Sequence, residues 1–225
     1  MKNKLSKFLL VIMVVTTLYA CNKSFLDSTP LGVLDEATLS TEKGINTVLL
    51  SAYAMLDGHD GGMNLGGEWG SGGSNFVFGD MGGGIANRGS TPGDQAGNMV
   101  PQLRHETTAT SGSLNDRWKA LYEGVKRTNT VMQILPNVEA TPATIANIAG
   151  QARFLRAWFH FQARITYGKV PYLDENIDAQ LSSGAIPGVA NDKDIFPEIL
   201  ADAKFAYENI PALQDGVGRV NKYTA

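Results

Sequence analysis

The stretch that decides the fold is Gln151-Ala152-Arg153-Phe154-Leu155-Arg156-Ala157-Trp158-Phe159-His160-Phe161, within the third of four predicted helices. Thr141 followed by Pro142 predicts the start of this helix, because threonine is a good N-cap and proline is tolerated at the first helical position. Gly168 and Pro171 predict its end. At 1.5 Å per residue, a helix of about 25 residues is about 40 Å long. Its apolar face, with the spacing of an amphipathic helix, consists of Ile145, Ile148, Ala152, Leu155, Phe159 and Ile165.

Three further segments show helical spacing of apolar residues, and none of four or more residues alternates clearly enough to predict a strand. The predicted fold class is therefore all-α. The predicted helices are about Ser40 to Gly58, Ser113 or Asn115 to Pro136, and Asp192 to Glu208. Because about five residues join the second and third helices, these are expected to form an antiparallel hairpin. Residues 219–225 are expected to begin a fifth helix, and since one turn is unstable alone, we expect a fragment or a truncated product.

A long glycine-rich loop joins the first two helices, since residues 58–97 contain fifteen of the 25 glycines in the chain. A loop of this length without secondary structure is usually functional or disordered. Its aromatic residues argue against a simple linker. Trp69, with glycines on both sides, is expected to be an exposed platform. Phe76 and Phe78 are equally compatible with such an exposed role and with packing that pins the loop onto the helices.

The amino-terminal segment has the order of parts of a bacterial lipoprotein signal. Three lysines precede an apolar run, residues 8–18, which is too short to cross a bilayer. Cys21, the only cysteine, follows closely behind the small residue Ala20. We expect Cys21 to carry a lipid; an ordinary secreted protein with a chance cysteine is the alternative. The predicted division of the chain is a signal peptide over 1–20, a lipid-anchored tether over 21–37 and a helical domain over 38–225.

Charge and motifs exclude several classes of function. Removal of residues 1–20 would leave 16 basic against 22 acidic residues, a balance that does not suit a nucleic-acid binder. No nucleophile elbow, P-loop, zinc-protease or dinucleotide motif is present, so no cofactor or metal is expected. The segment 174–178 starts like a calcium loop but lacks its glycine and glutamate, and we interpret it as a polar turn. Arg156, His160 and Arg164 share one helix face, which we expect to be solvated or salt-bridged.

Five segments together resemble one family. The decisive stretch followed by Tyr167-Gly168-Lys169-Val170-Pro171 closely resembles the "A-R-F-L-R-A … G-x-V-P" signature of the SusD/RagB family. The segment 118–129 looks like the W-x3-Y-x6-N motif of its second helix. The other matching segments, in chain order, are 21–27, 199–211 with Ala203 in place of the usual leucine, and 218–225.

The resemblance implies a helical fold of tetratricopeptide-like helix pairs in an outer-membrane lipoprotein without enzymatic activity. It implies a SusC-like TonB-dependent transporter as partner and capture of oligosaccharides, or in some members peptides, for import. Family members are commonly about twice as long, so the sequence resembles their amino-terminal portion. The resemblance also implies display on the cell exterior. The chain departs from the usual acidic start of such lipoproteins, because Asn22, Lys23 and Ser24 precede the first acidic residue, Asp27.

Within this family reading, the glycine-rich loop is the candidate ligand site. Sugar rings need an apolar platform and fixed donors and acceptors for their hydroxyls. The candidate ligand residues are Trp69, Asn75, Asp80 and Arg88. Two alternatives stay open, a scaffold that binds only the transporter barrel and, ranked last, a surface glycosidase that would use a pair of carboxylates.

Overall fold

Helices account for all the regular secondary structure in the part of the chain that the structure describes. This computed structural model describes residues 36–56, 76–89, 91, 93 and 99–225. No strand occurs among these residues, so the all-α prediction is confirmed. The α-helices are α1 Glu36–Leu39, α2 Glu42–Ala54, α3 Val100–Leu103, α4 Gly112–Ile134, α5 Pro142–Tyr167, α6 Glu175–Ser182 and α7 Phe196–Asn209, with a π-helical turn at Phe76–Met81 and a 3-10 turn at Leu135–Asn137. None of these helices is long and apolar enough to cross a membrane.

Helices α4 and α5 form the predicted antiparallel hairpin. Near the start of α4, Trp118 packs edge-on against Tyr167 at the end of α5, with the ring centroids 5.1 Å apart. In the middle of the pair, a Cβ atom added to Gly124 would lie 2.6 Å from the ring of Phe159. The glycine therefore allows the two helix axes to approach closely at the point where a large aromatic ring enters the core.

Helix α5 is the centre of the packing, with α7 lying antiparallel along it and α2 contacting both α4 and α5. Arg153 near the middle of α5 meets Asp202 in α7, while Arg164 near the end of α5 meets Asp194 just before α7. The two predicted caps of α5 are confirmed, since the Thr141 hydroxyl accepts from the Thr144 N–H and Gly168 has a positive φ of 79°.

Two sequence-based assignments need correction. Helix α7 begins at Phe196 rather than near Asp192, because the Asp194 carboxylate accepts from the Phe196 N–H and Pro197 stands in the first turn. Residues 174–178 are not a simple polar turn: Asp174 caps α6 by accepting from the N–H groups of Asn176 and Ile177. Residues 222–224 form a turn: the Asn221 side chain accepts from the N–H groups of Tyr223 and Thr224, and the Ala225 N–H donates to the Asn221 carbonyl oxygen, as at the start of a helix.

Candidate functional site

The face of α5 that carries Arg156, His160 and Arg164 is mostly buried. Arg156 is 2% exposed and Asp202 fully buried. Arg156 holds Asp202 with two hydrogen bonds, from Nε to Oδ2 at 2.7 Å and from Nη2 to Oδ1 at 2.8 Å. The prediction of a salt-bridged face is correct for the arginines, but only Arg164 of the three residues is at the surface.

Further hydrogen bonds extend this pair into a buried group of residues, here called the Arg156–Asp202 network. Asp202 also accepts from Arg153 Nε at 2.6 Å and from the Tyr172 hydroxyl at 2.8 Å. Burial alone would raise the pKa of Asp202, but hydrogen bonds and charge from Arg156, with the other donors, outweigh burial and hold that pKa below its usual value. Arg156 also donates to Asn129 Oδ1 and to Glu175. The network thus joins α4, α5, α6 and α7.

His160 is part of the same interior. Its Nε2 accepts from the Leu173 N–H at 3.1 Å, and its Nδ1 lies 3.0 Å from the Arg156 carbonyl oxygen, so the neutral ring donates there. Burial first, and then the charge of Arg156, lower the pKa of His160 to about 4. A neutral, enclosed imidazole with both nitrogens engaged is a packing element, so the network is not a ligand site.

A solvent-accessible cleft lies where the end of α5 meets the start of α4. We call it the loop cleft; it has a volume of about 330 Å³ and is lined by Phe78, Gln102, Thr107, Leu114, Arg117, Ile165 and Thr166. Arg117 is only 1% exposed, and its guanidinium stacks 4.4 Å from the centroid of the Phe78 ring. Its Nε donates to Thr166 Oγ1 at 3.1 Å and its Nη2 to Gln162 Oε1 at 2.8 Å.

The described part of the glycine-rich loop is anchored beside this cleft. Val77 and Met81 are buried against Met99, with Phe76 and Phe78 packed around them. The Asp80 carbonyl oxygen accepts from the N–H groups of two later residues and closes the π-helical turn. The loop is therefore pinned by its phenylalanines, which is the simpler of the two roles expected for them.

The predicted lipid attachment residue and the predicted ligand residues divide into two groups. Cys21, Trp69 and Asn75 lie outside the described residues. Asp80 and Arg88 are half-buried in the same loop segment as Phe78, and their roles stay predictions.

Sequence reasoning missed the polar lining of the loop cleft. Gln102, Thr107 and Thr166 carry no motif. Arg117 could have been found, because it stands four positions before Leu121 on the inner stripe of α4, where a charged side chain is unusual.

Comparison with known protein families finds one that matches this chain. Residues 85–224 match a SusD-like family model described as "starch-binding associating with outer membrane". The chain belongs to the SusD-like family. Four of the signature residues that suggested this family belong to the Arg156–Asp202 network, namely Asn129, Arg153, Arg156 and Asp202.

Solved SusD-like structures share this fold. Surface glycan-binding protein A from Bacteroides thetaiotaomicron superimposes with a TM-score of 0.61 at 20% identity, over 83% of this chain and 37% of that one. The same protein in complex with laminarihexaose gives 0.60 at 21% identity, over 82% and 37%. A SusD-like protein from Bacteroides fragilis gives 0.60 at 19% identity, over 88% and 35%. The SusD-like chain described here thus spans little more than a third of these structures. No curated protein sequence matches it.

Proposed function

We propose that this SusD-like chain captures oligosaccharides from polysaccharide breakdown and delivers them to a SusC-like TonB-dependent transporter. The family match over residues 85–224 carries this proposal. The laminarihexaose complex of a protein with the same fold supports the choice of a glycan as ligand. In this function the chain is a binding protein of the outer membrane and not an enzyme.

The chemistry of the loop cleft supports the capture of sugars. Leu114, Ile165 and the Phe78 ring supply an apolar wall, and Gln102 with Thr107 supplies polar groups at its mouth. This combination suits pyranose rings, which have apolar C–H faces and a rim of hydroxyls. We place Trp69, Asn75, Asp80 and Arg88 in the same binding surface, since Phe78 lies among them in sequence.

A binding role also agrees with the state of the ionisable groups. Asp202 and Glu175 bind Arg156, and Asp194 binds Arg164, so these carboxylates are engaged in structural ion pairs. These three carboxylates are therefore not free to exchange protons with a substrate, as acid catalysis by a carboxylate pair would require.

Calorimetry with laminarihexaose and a panel of other neutral oligosaccharides tests the proposal. We expect at least one to bind, and Trp69→Ala to weaken that binding about tenfold, as for the loss of about 1.4 kcal/mol of aromatic stacking. Tyr223→Ala is the matched control, because Tyr223 is an aromatic side chain that is 80% exposed at the other end of the chain. If no saccharide in the panel binds, the proposal fails.

We propose that Cys21 anchors the chain in the outer membrane, facing the cell exterior, with residues 21–37 as the tether. The order of the signal segment supports this assignment. In cells fed labelled palmitate, the chain should become labelled and Cys21→Ser should abolish the label. Labelling that persists in Cys21→Ser would contradict it.

A scaffold that binds only the barrel is the second candidate, and one observation favours it. Phe196, Leu200 and Tyr207 of α7 are 44%, 58% and 50% exposed, which is unusual for such large apolar side chains. A scaffold role predicts that Leu200→Glu loses co-purification with the barrel, whereas Trp69→Ala keeps both the barrel and full glycan uptake. Loss of uptake in Trp69→Ala would favour direct capture.

A further inference from the structure

A second polar cleft lies at the start of α5, far from the loop cleft. We call it the carboxamide cleft; its volume is about 420 Å³, and its polar walls come from Asn46, Asn147, Gln151, Gln214 and Arg219. Gln151 on α5 and Thr166 in the loop cleft are fifteen positions apart, so the two clefts are separated by about 22 Å along the helix. Neither cleft contains a residue of the other.

The carboxamide groups are held in fixed orientations by one another. Asn147 Oδ1 accepts from Gln151 Nε2 at 3.0 Å and from Gln214 Nε2 at 2.8 Å. Gln214 Nε2 also donates to the Val220 carbonyl oxygen, and Gln214 Oε1 accepts from Asn147 Nδ2 at 3.1 Å. A ligand entering the cleft would therefore meet a pre-organised surface, which reduces the entropy cost of binding.

Arg219 is fixed in the same way, by uncharged partners. Its Nη1 donates to Gln151 Oε1 at 3.2 Å and its Nη2 to Asn46 Oδ1 at 3.4 Å. The guanidinium lies 5.4 Å from the centroid of the Tyr53 ring, and the Tyr53 hydroxyl donates to the same Gln151 oxygen. Gln151 is 3% exposed, and its side-chain oxygen thus holds both Arg219 and Tyr53 from a buried position.

Each of these side chains keeps hydrogen-bonding capacity that the described residues do not use. Of the five N–H donors of a guanidinium, Arg219 uses two in hydrogen bonds to the described residues, which leaves three. Asn147, Gln151 and Asn46 each use one of the two N–H groups of their amides, which leaves one N–H on each. Gln214 Oε1 accepts a single hydrogen bond from the described residues and can accept another.

The charges of the cleft select against anionic ligands. Glu42 and Asp215 stand in the lining with Arg219, so two negative charges face one positive charge. This net negative lining would repel an anion. A neutral hydroxyl, which both donates and accepts, can satisfy the amide N–H groups and the carboxylate oxygens at once.

We propose that the carboxamide cleft is a second subsite for a neutral polyhydroxylated ligand, a saccharide unit without charged groups. This inference rests on the proposed function and adds a binding place that the loop does not provide. It also predicts that the two ends of α5 contribute separately to saccharide binding.

The test uses the side-chain amide resonances of the purified chain in ¹H–¹⁵N spectra, with the same panel of neutral oligosaccharides at millimolar concentration. Saccharide should shift the amide signals of Asn147 and Gln151. In calorimetry, Asn46→Ala should weaken binding about threefold to tenfold, the loss of about one hydrogen bond. Asn46 is chosen because its contacts within the protein are one bond to a helix carbonyl and one long contact to Arg219.

Thr47→Ala is the matched control on the same turn of α2, since Thr47 is exposed and its hydroxyl donates only to the Lys43 carbonyl oxygen. It should bind saccharide as the unchanged chain does. Saccharide binding with unshifted Asn147 and Gln151 signals would overturn this inference and leave the proposed function intact. Shifts caused by an oligouronate but by no neutral sugar would overturn the neutral class. If no saccharide binds at all, both proposals fail.

Discussion

Arg156–Asp202 and Arg164–Asp194 are two ion pairs with almost the same geometry in two very different surroundings. Both are bidentate, with N–O distances of 2.7 and 2.8 Å in the first and 2.6 and 2.7 Å in the second. Both arginines belong to α5, eight positions apart. The first pair is sealed in the core, whereas the side chains of Arg164 and Asp194 are 32% and 53% exposed. Equal geometry therefore does not imply an equal contribution to the stability of the fold.

The two pairs differ in their contribution to stability because only the exposed pair is in contact with water. In the core, each charge has lost its hydration, so removal of one partner leaves the other buried without its main compensation. At the surface, water and salt replace a lost partner at little cost. The buried pair thus specifies how α5 and α7 pack, and the family signature that contains it is a folding signature. We propose ligand binding at the clefts instead, where side chains keep donors that their contacts with the described residues do not use.

The largest expected effect comes from Asp202→Ala. Arg156 would keep its buried charge and lose its main partner, so the free energy of unfolding should fall by about 3–5 kcal/mol. Urea denaturation followed by circular dichroism measures this change. Asp194→Ala breaks the exposed pair and also loses the hydrogen bond from the Phe196 N–H at the start of α7, so this comparison variant should lose some stability but far less than Asp202→Ala. Equal losses in the two variants would contradict the contrast between the pairs.

The next largest effect is a dependence of stability on pH, which arises from His160 in the same interior. His160 has a pKa of about 4 in the folded chain, against about 6.5 when unfolded. Between these values the unfolded chain binds the extra proton, so stability is full above about pH 6.5 and falls with acidification by up to about 1.4 kcal/mol per pH unit. The lowered pKa of Asp202 adds a further loss at still lower pH.

Urea titrations from pH 7 to pH 4 measure this slope. His160→Asn removes the titrating group, so the variant should be less stable at pH 7 but should lose the slope between about pH 6.5 and 4. His105→Asn is the control, because His105 is exposed and asparagine tolerates its positive φ of 56°. A slope that survives in His160→Asn would place the titrating group elsewhere.

Tyr172→Phe should have a smaller effect on the same network. The change removes the hydroxyl that donates to Asp202 Oδ2 at 2.8 Å and keeps the ring that packs against His160 at a centroid distance of 4.6 Å. A hydrogen bond to a charged group is worth about 1.5–3 kcal/mol, and the two arginines keep most of the compensation, so the lower end is expected. Tyr223→Phe, at an exposed tyrosine, should leave the urea midpoint unchanged.

The contrast between the two pairs also explains how far the sequence could predict the structure. Helix α5 was predictable because its cap, its apolar stripe and its final glycine all agree. Arg156 and Arg164 look alike in the sequence, each on the same face of that helix. What separates them is the placement of Asp202 and Asp194, which depends on how α7 packs and not on local spacing.

The candidate site was predictable only in part, for a related reason. Glycine and aromatic composition identified the loop, and the structure anchors its Phe78 on Arg117. Asp174 was missed as a helix cap because an aspartate in a polar segment is equally typical of a turn. The carboxamide cleft could not be found from sequence, since its side chains come from α2, α5 and the segment after α7.

The smallest effect is expected for Arg164→Ala. The hydrogen bonds from Arg164 and from the Phe196 N–H lower the pKa of Asp194 to about 2, yet both side chains remain in water, where ions screen their attraction. Asp194 would also keep its hydrogen bond from the Phe196 N–H at the start of α7. The urea midpoint should therefore stay within error of the unchanged chain, and any small difference at low salt should vanish at high salt. A large loss that persists at high salt would mean that the exposed pair also fixes the packing of α5 on α7, and the contrast with Arg156–Asp202 would not hold.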